Sequence, residues 1–181
     1  MRYTEKDPEI DYEANVRALG ERIRRICSEL GVRKPAIFME PGRSIVAAAG
    51  ATLYTCGSVK EIPGFRNYVS VDGGMPDNPR YALYQAEYTA VNASKASLPA
   101  DFECTLGGRC CESGDLLAEG IKLARPERGD IVAVLVTGAY NFSMASNYNR
   151  IPRPPVIEVS SDRVFCAVRR ETFTDLLSLD I

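Results

Sequence analysis

Apolar residues recur at helical spacing between Ile10 and Leu30: Ala14, Leu19, Ile23, Ile26, Cys27 and Leu30, with Arg17, Glu21, Arg22, Arg24 and Arg25 on the other positions. That period predicts one amphipathic helix, with Asp11 placed to cap its first turn and Gly31 to end it. A short apolar run, Ala36–Met39, follows and stops at Glu40-Pro41-Gly42-Arg43. Helix, loop and buried strand form the repeating unit of an α/β layer or barrel, so a strand is expected at 36–39. One helix and one parallel strand cannot bury both their faces. Residues 1–43 are therefore expected to be a remnant of a larger α/β unit.

Beyond Arg43 the texture changes. Ser44–Val59 is long, apolar and rich in Ala, Val, Ile and Thr, and Tyr68–Val71 and Ile131–Val136 are further candidate strands. Val156–Val159 and Val164–Val168 flank the turn residues Ser160-Ser161-Asp162-Arg163, which is a hairpin pattern. Short helices are expected at Pro79–Glu87, opening on its proline, and at Glu171–Leu179. Ala93–Ala100 is the most linker-like stretch, and Ile151–Pro155 is stiff and extended. The expectation is a mainly β protein, a β-sandwich or Greek-key barrel over residues 44–181, antiparallel for the most part, with an α/β remnant before it.

Composition narrows the chemistry more than the fold. With 22 Lys plus Arg against 24 Asp plus Glu, the formal charge is -2, which argues against nucleic acid or an anionic membrane as partner. No apolar run reaches bilayer length, and the first residues have no signal-peptide core; the cytoplasm is the expected address. The chain has no histidine and six cysteines, none in a C-x-x-C pair, so zinc spacing and every Ser-His or Cys-His pairing are missing and no metal site is expected. The adjacent Cys110 and Cys111 are poorly placed to bridge each other, and free thiols suit a reducing compartment. Acid–base work must fall to cysteine, tyrosine, lysine or a carboxylate.

Four short motifs can carry chemistry. In Glu40-Pro41-Gly42-Arg43 the glycine lets backbone approach an anion, and the arginine can clamp a carboxylate or phosphate; alone, an ordinary turn with a surface arginine is commoner. Asp72-Gly73-Gly74 following Val71 permits close approach, but more often only a positive φ. Cys111-Glu112-Ser113-Gly114-Asp115 sets a thiol beside two carboxylates, which favour the protonated sulfur and so a proton donor over a nucleophile; a cysteine in a turn is the bland alternative. Tyr140, at the end of a strand, offers a hydroxyl and a ring face, although a core or interface role is the usual one.

Taken together and in order, Glu-Pro-Gly-Arg-Ser-Ile-Val-Ala, Val-Asp-Gly-Gly-Met, Pro-Arg-x-Ala-Leu-Tyr, Cys-Glu-Ser-Gly-Asp and Gly-Ala-Tyr with Ser-Met-Ala-Ser-Asn-Tyr-Asn resemble the C-terminal half of the diaminopimelate decarboxylases. These are fold-type III pyridoxal-phosphate enzymes with a (β/α)8 barrel followed by a β domain, and the resemblance runs from Arg2 to about Arg170. It implies that residues 1–43 end the barrel and that pyridoxal 5'-phosphate is the cofactor, held through Glu40, Pro41, Gly42, Arg43 and Tyr140. Arg43, Arg80, Tyr84, Glu112 and Tyr140 are implied to bind meso-diaminopimelate, and Cys111 to return the proton once carbon dioxide has left, giving L-lysine. Tyr81 stands where the family usually has proline. Ornithine and arginine decarboxylases typically carry aspartate at the position of Glu112, so the glutamate favours diaminopimelate. The family's cysteine loop reaches into the neighbouring subunit, which implies a two-fold homodimer sharing its active sites.

The family's Schiff-base lysine and ring-stacking histidine have no counterpart: Lys6, Lys34, Lys60, Lys95 and Lys122 lie in other contexts. The glycine-rich phosphate loop, which in the family ends just before a segment like Arg2-Tyr3-Thr4, is also missing. The expectation is therefore a C-terminal portion that is inactive by itself, as a fragment or a shortened reading frame. Two alternatives stand beside it, a non-catalytic dimerisation or regulatory module derived from such an enzyme, and a decarboxylase for another basic amino acid.

Overall fold

The computed structural model describes residues 2–181. Helix α1 (Tyr12–Leu30) forms where the periodicity places it: Asp11 Oδ1 accepts the Ala14 N–H at 2.9 Å, and Gly31 closes the helix in the left-handed conformation. Its apolar stripe stays on the surface, with Val16, Leu19, Ile26 and Leu30 exposed and Cys27 the one buried residue of the helix. The strand expected at Ala36–Met39 does not form; the segment is unpaired and exposed. A strand exists only by pairing, and no neighbour lies alongside to take up its backbone groups.

The stretch Ser44–Val59 is also not one element. Residues Arg43–Val46 form a short helix α2, Ala47–Ala49 a 3-10 turn, and the strand β1 begins at Ala51 and runs to Ile62. The later strands are β2 (Arg66–Val71), β3 (Ala90–Asn92), β4 (Phe102–Gly107), β5 (Leu116–Leu123) and β6 (Ile131–Leu135). With β1 they make one sheet in the order β3-β6-β1-β2-β4-β5. Every pairing is antiparallel except β2 with β4, which is parallel. The end strands β3 and β5 approach each other, so the sheet curls into a nearly closed barrel, which removes most of its exposed edge.

The barrel interior is the core. Leu106, Val69, Leu117, Leu123, Val132 and Val134 are fully buried, with Tyr54, Tyr88, Phe102 and the thiols of Cys56 and Cys104 among them. Helix α3 (Arg80–Tyr84) follows Pro79, as its sequence predicts, and docks on β5: Tyr81 donates its hydroxyl to Glu119 at 2.7 Å while Arg66 pairs with the same carboxylate at 2.5 Å. Beyond β6 come α4 (Asn141–Met144), the hairpin β7–β8 (Val156–Val159 and Val164–Val168) and α5 (Phe173–Leu177).

The hairpin packs little surface, since every residue of β8 is exposed. Ionic ties hold its base. The Glu171 carboxylate accepts from Arg153 Nε at 2.7 Å, the Arg153 backbone N–H at 2.8 Å and Asn147 Nδ2 at 2.6 Å. The Arg153 side chain first, then its backbone N–H, hold the Glu171 carboxyl down at about 2. A folded-state value below the unfolded one gives stability that is present above about pH 4.3 and lost as pH falls toward 2. Glu171→Gln is expected to cost about 1–2 kcal/mol of local stability at neutral pH. Amide exchange across β7–β8, compared with β1–β6, checks both: protection of the hairpin should drop alone.

Candidate functional site

Strand β6 ends at Leu135, and the next residue, Val136, takes a positive φ of 61°, unusual for a β-branched residue, and turns the chain into Gly138-Ala139-Tyr140. There the backbone meets the segment that carries Arg43. Gly138 N–H donates to Ala47 O at 3.0 Å and Thr137 N–H to Gly50 O at 2.9 Å. The contact leaves no room for a side chain: a Cβ on Gly138 would stand 2.0 Å from Val46 O, and one on Gly50 would stand 2.5 Å from Gly138 Cα. Gly138→Ala is expected to cost about 1–3 kcal/mol, read by urea denaturation of the chain. A loss under about 0.5 kcal/mol, as for an ordinary surface change, would show that the two backbones do not lock.

This lock brings Gly42, Arg43 and Tyr140 together. The Tyr140 hydroxyl lies 2.6 Å from where a Gly42 Cβ would be. The Arg43 guanidinium lies 5.3 Å from the Tyr140 ring centre and 5.7 Å from that of Tyr3, within cation–π range of both. Tyr3 stands edge-on to Tyr88 with centres 5.2 Å apart, and the Tyr88 hydroxyl donates to Asn141 Oδ1 at 3.4 Å. Arg80 joins from the start of α3, only 7% exposed, with Tyr84 over its guanidinium at 5.4 Å. Burial pushes the Tyr3 and Tyr88 phenols up, against the pull of Arg43 and Arg80. Both hydroxyls therefore stay protonated donors.

Donors outnumber acceptors here. Arg80 Nε, the Tyr3 hydroxyl and Asn141 Nδ2 are buried and have no hydrogen-bond partner among the described residues. Buried donors are costly when unpaired, and two guanidinium groups beside them make the place suited to anions. Glu40 and Pro41 lie on the exposed rim, and Tyr84 is 61% exposed.

Cys111 and Glu112 belong to a second group, on the loop between β4 and β5. Cys111 is exposed, and its N–H donates to Asn149 Oδ1 at 3.1 Å. Asn149 lies nine residues beyond Tyr140, in the Ser-Met-Ala-Ser-Asn-Tyr-Asn segment, so two separate motifs meet there. The Glu112 carboxylate accepts from the Gly114 N–H at 3.1 Å and is exposed. Among the described residues neither Cys111 nor Glu112 hydrogen-bonds or ion-pairs with Arg43, Arg80 or Tyr140. The carboxylate of Asp115 accepts the Cys110 N–H at 2.6 Å and, after burial, helps push the Cys110 thiol up, so one of the motif's two acids serves Cys110, where the expectation had set both beside Cys111.

Sequence reasoning missed Tyr3, Tyr88 and Asn141, which complete the first group, and Asp77, whose carboxylate takes the Tyr54 hydroxyl at 2.6 Å and the Gly74 N–H at 2.8 Å. An acid next to a Gly-Gly turn was the available signal. Among the described residues no cluster of three or more histidine, cysteine, aspartate or glutamate side chains could hold a metal ion, and no helix is long and apolar enough to cross a membrane.

Residues 30–138 match the family "Pyridoxal-dependent decarboxylase, C-terminal sheet domain". Diaminopimelate decarboxylase of Bacillus subtilis (strain 168) is 48% identical over 181 residues, which is all of this chain and 41% of that protein. Among solved structures, diaminopimelate decarboxylase of M. jannaschii in co-complex with L-lysine superposes with a TM-score of 0.87 at 32% identity, over 99% of this chain and 40% of that one. The Helicobacter pylori enzyme, also complexed with L-lysine, gives 0.77 at 30%, over 97% and 41%. The chain thus spans about two fifths of these relatives' length. By a match over more than half its residues, the chain belongs to the pyridoxal-dependent decarboxylases and carries their C-terminal sheet domain.

Proposed function

We propose that this chain is the substrate-binding and proton-delivering part of a decarboxylase that converts meso-diaminopimelate to L-lysine and carbon dioxide. The observation that carries the reading is the gathering of Arg43, Arg80 and Tyr140 around Tyr3, with buried donors left over. A substrate with two carboxylates and two ammonium groups calls for cationic clamps and an acidic partner, and this chain offers both. L-lysine, present in the M. jannaschii and H. pylori structures, is what remains when diaminopimelate loses one carboxyl group.

The residues fit a phosphate-bearing cofactor. The Tyr140 hydroxyl packs directly against Gly42 and the Arg43 guanidinium lies beside the Tyr140 ring, so a hydroxyl donor and a cation stand side by side, a pair suited to a doubly charged oxyanion. When bound, pyridoxal phosphate supplies the electron sink that makes loss of carbon dioxide from an amino acid accessible. The chain's own groups do the rest. Arg43 and Tyr140 anchor the phosphate with Glu40, Pro41 and Gly42 shaping the turn; Arg43 and Arg80, with Tyr84, receive carboxylates. Glu112 takes the distal ammonium, and the Cys111 S–H delivers the proton to the α-carbon.

Two copies are proposed to act together. Cys111 and Glu112 are exposed and, among the described residues, make no hydrogen bond or ion pair with the arginine group of their own chain, which supports a two-fold homodimer that exchanges these loops to complete each site. Light scattering on the purified chain tests that, with a dimer expected. The barrel remnant proposed at residues 1–43 explains the exposed stripe of α1, which a neighbouring barrel element covers. Six free thiols suit the reducing cytoplasm.

The deciding experiment uses the polypeptide that joins this chain to a lysine-bearing barrel. Carbon dioxide release should be faster from meso-diaminopimelate than from ornithine or arginine; a reversed preference overturns the substrate. The chain alone with added pyridoxal phosphate should not exceed free cofactor.

A further inference from the structure

Cys110 and Cys111 are neighbours, and the proposed chemistry needs only one of them. Asp115 is the group that distinguishes them. It is 4% exposed and is stitched into the loop from several sides. Its Oδ2 accepts the Cys110 N–H at 2.6 Å and its Oδ1 accepts the Met75 N–H at 2.6 Å. Its backbone carbonyl accepts the Gly108 N–H at 2.8 Å, and its own N–H donates to Glu112 O at 3.1 Å. Two glycines make room for it: a Cβ on Gly74 would stand 2.4 Å from Oδ1, and one on Gly108 would stand 2.2 Å from Oδ2. The glycine turn after β2 is thus a seat for this carboxylate, and it fastens the cysteine loop to the barrel.

The two thiols experience that seat differently. Cys110 is half-buried, and burial first, then the Asp115 charge, push its thiol up to about 12. Cys111 is exposed, with its backbone held instead by Asn149. The geometry points to Asp115 as a positioning residue that decides which of the two adjacent thiols is presented, keeping Cys110 inward and leaving Cys111 outward. The inference rests on the reading of Cys111 as the proton donor, but it is measured without turnover.

Timed alkylation of the whole chain with iodoacetamide at pH 8, with the two sites separated by tandem mass spectrometry, tests it. In the unsubstituted chain Cys111 should label at least about tenfold faster than Cys110, because the thiolate is the reacting form. Asp115→Asn cannot accept both N–H groups, and the ratio should fall to within about threefold. Cys56 and Cys104, buried in the barrel, report the fold: loss of positioning alone leaves them unlabelled, whereas general unfolding exposes them. Gly108→Ala, which displaces the carboxylate without removing it, is the second variant and should lower the ratio in the same way. Equal labelling of the two thiols in the unsubstituted chain overturns the inference, as does an unchanged ratio in a folded variant. If the ratio behaves as expected but the lysine-bearing polypeptide does not decarboxylate, only the role of Cys111 falls.

Discussion

Replacing Cys111 with alanine in the lysine-bearing polypeptide is expected to lower kcat for decarboxylation by about 10²–10⁴-fold, with KM changed little. This chain has no histidine, so it supplies no imidazole of its own to deliver the proton in place of the thiol. The thiol is exposed on a loop fixed at Asn149 and Asp115, which limits how far a neighbouring acid can move in to substitute. Cys111→Ser keeps a weaker acid at nearly the same place and should fall between the two. Glu112→Ala should act on the other parameter, raising KM for diaminopimelate, because an ammonium-binding carboxylate contributes binding in the ground state and transition state alike. Steady-state carbon dioxide release measures all three. A Cys111→Ala enzyme with undiminished kcat would remove the thiol from the mechanism.

Leu106→Ala is expected to cost about 2–5 kcal/mol of folding stability. The side chain has no exposed surface and sits next to the C-terminal end of β4. It lies opposite Val69 of β2 across the parallel pair, and opposite Ala118 of β5 on the other side. Three strands therefore lose packing at once, and the barrel wall is too constrained to collapse into the space. Urea denaturation of the chain reads the loss as a lower midpoint at unchanged slope. Leu179→Ala removes the same atoms from a site 90% exposed and should stay within about 0.5 kcal/mol. Similar losses for both would mean that the barrel interior is not where the stability lies.

Some of this protein was legible in its amino-acid order because the cause was local. Helix α1 and its caps, the start of α3 behind Pro79 and the β7–β8 hairpin each follow from neighbours a few residues apart. The motifs Glu40–Arg43, Cys111–Asp115 and Gly138–Tyr140 likewise stand out because glycine, proline and cysteine are restricted in what they do locally. Strands β3, β4 and β5 were not read, since their short runs are broken by polar residues and their pairing partners are 9 to 44 positions away. The opposite error arose at Ala36–Met39, where an apolar run looks like a strand but has no partner.

Tertiary structure alone decided which motifs meet. Arg43 and Tyr140 are nearly a hundred positions apart and come together because two glycine backbones interlock at Gly50 and Gly138. Tyr3, Tyr88 and Asn141 enter the same cluster with no local signature. The carboxylate of Asp115 turned out to serve Cys110 and the Gly74 turn, although spacing in the chain suggested Cys111. Residue order fixes which chemical groups are available and how the backbone bends beside them. Distances between groups far apart in the chain depend on how the sheet closes, because burial and strand pairing are properties of the whole barrel.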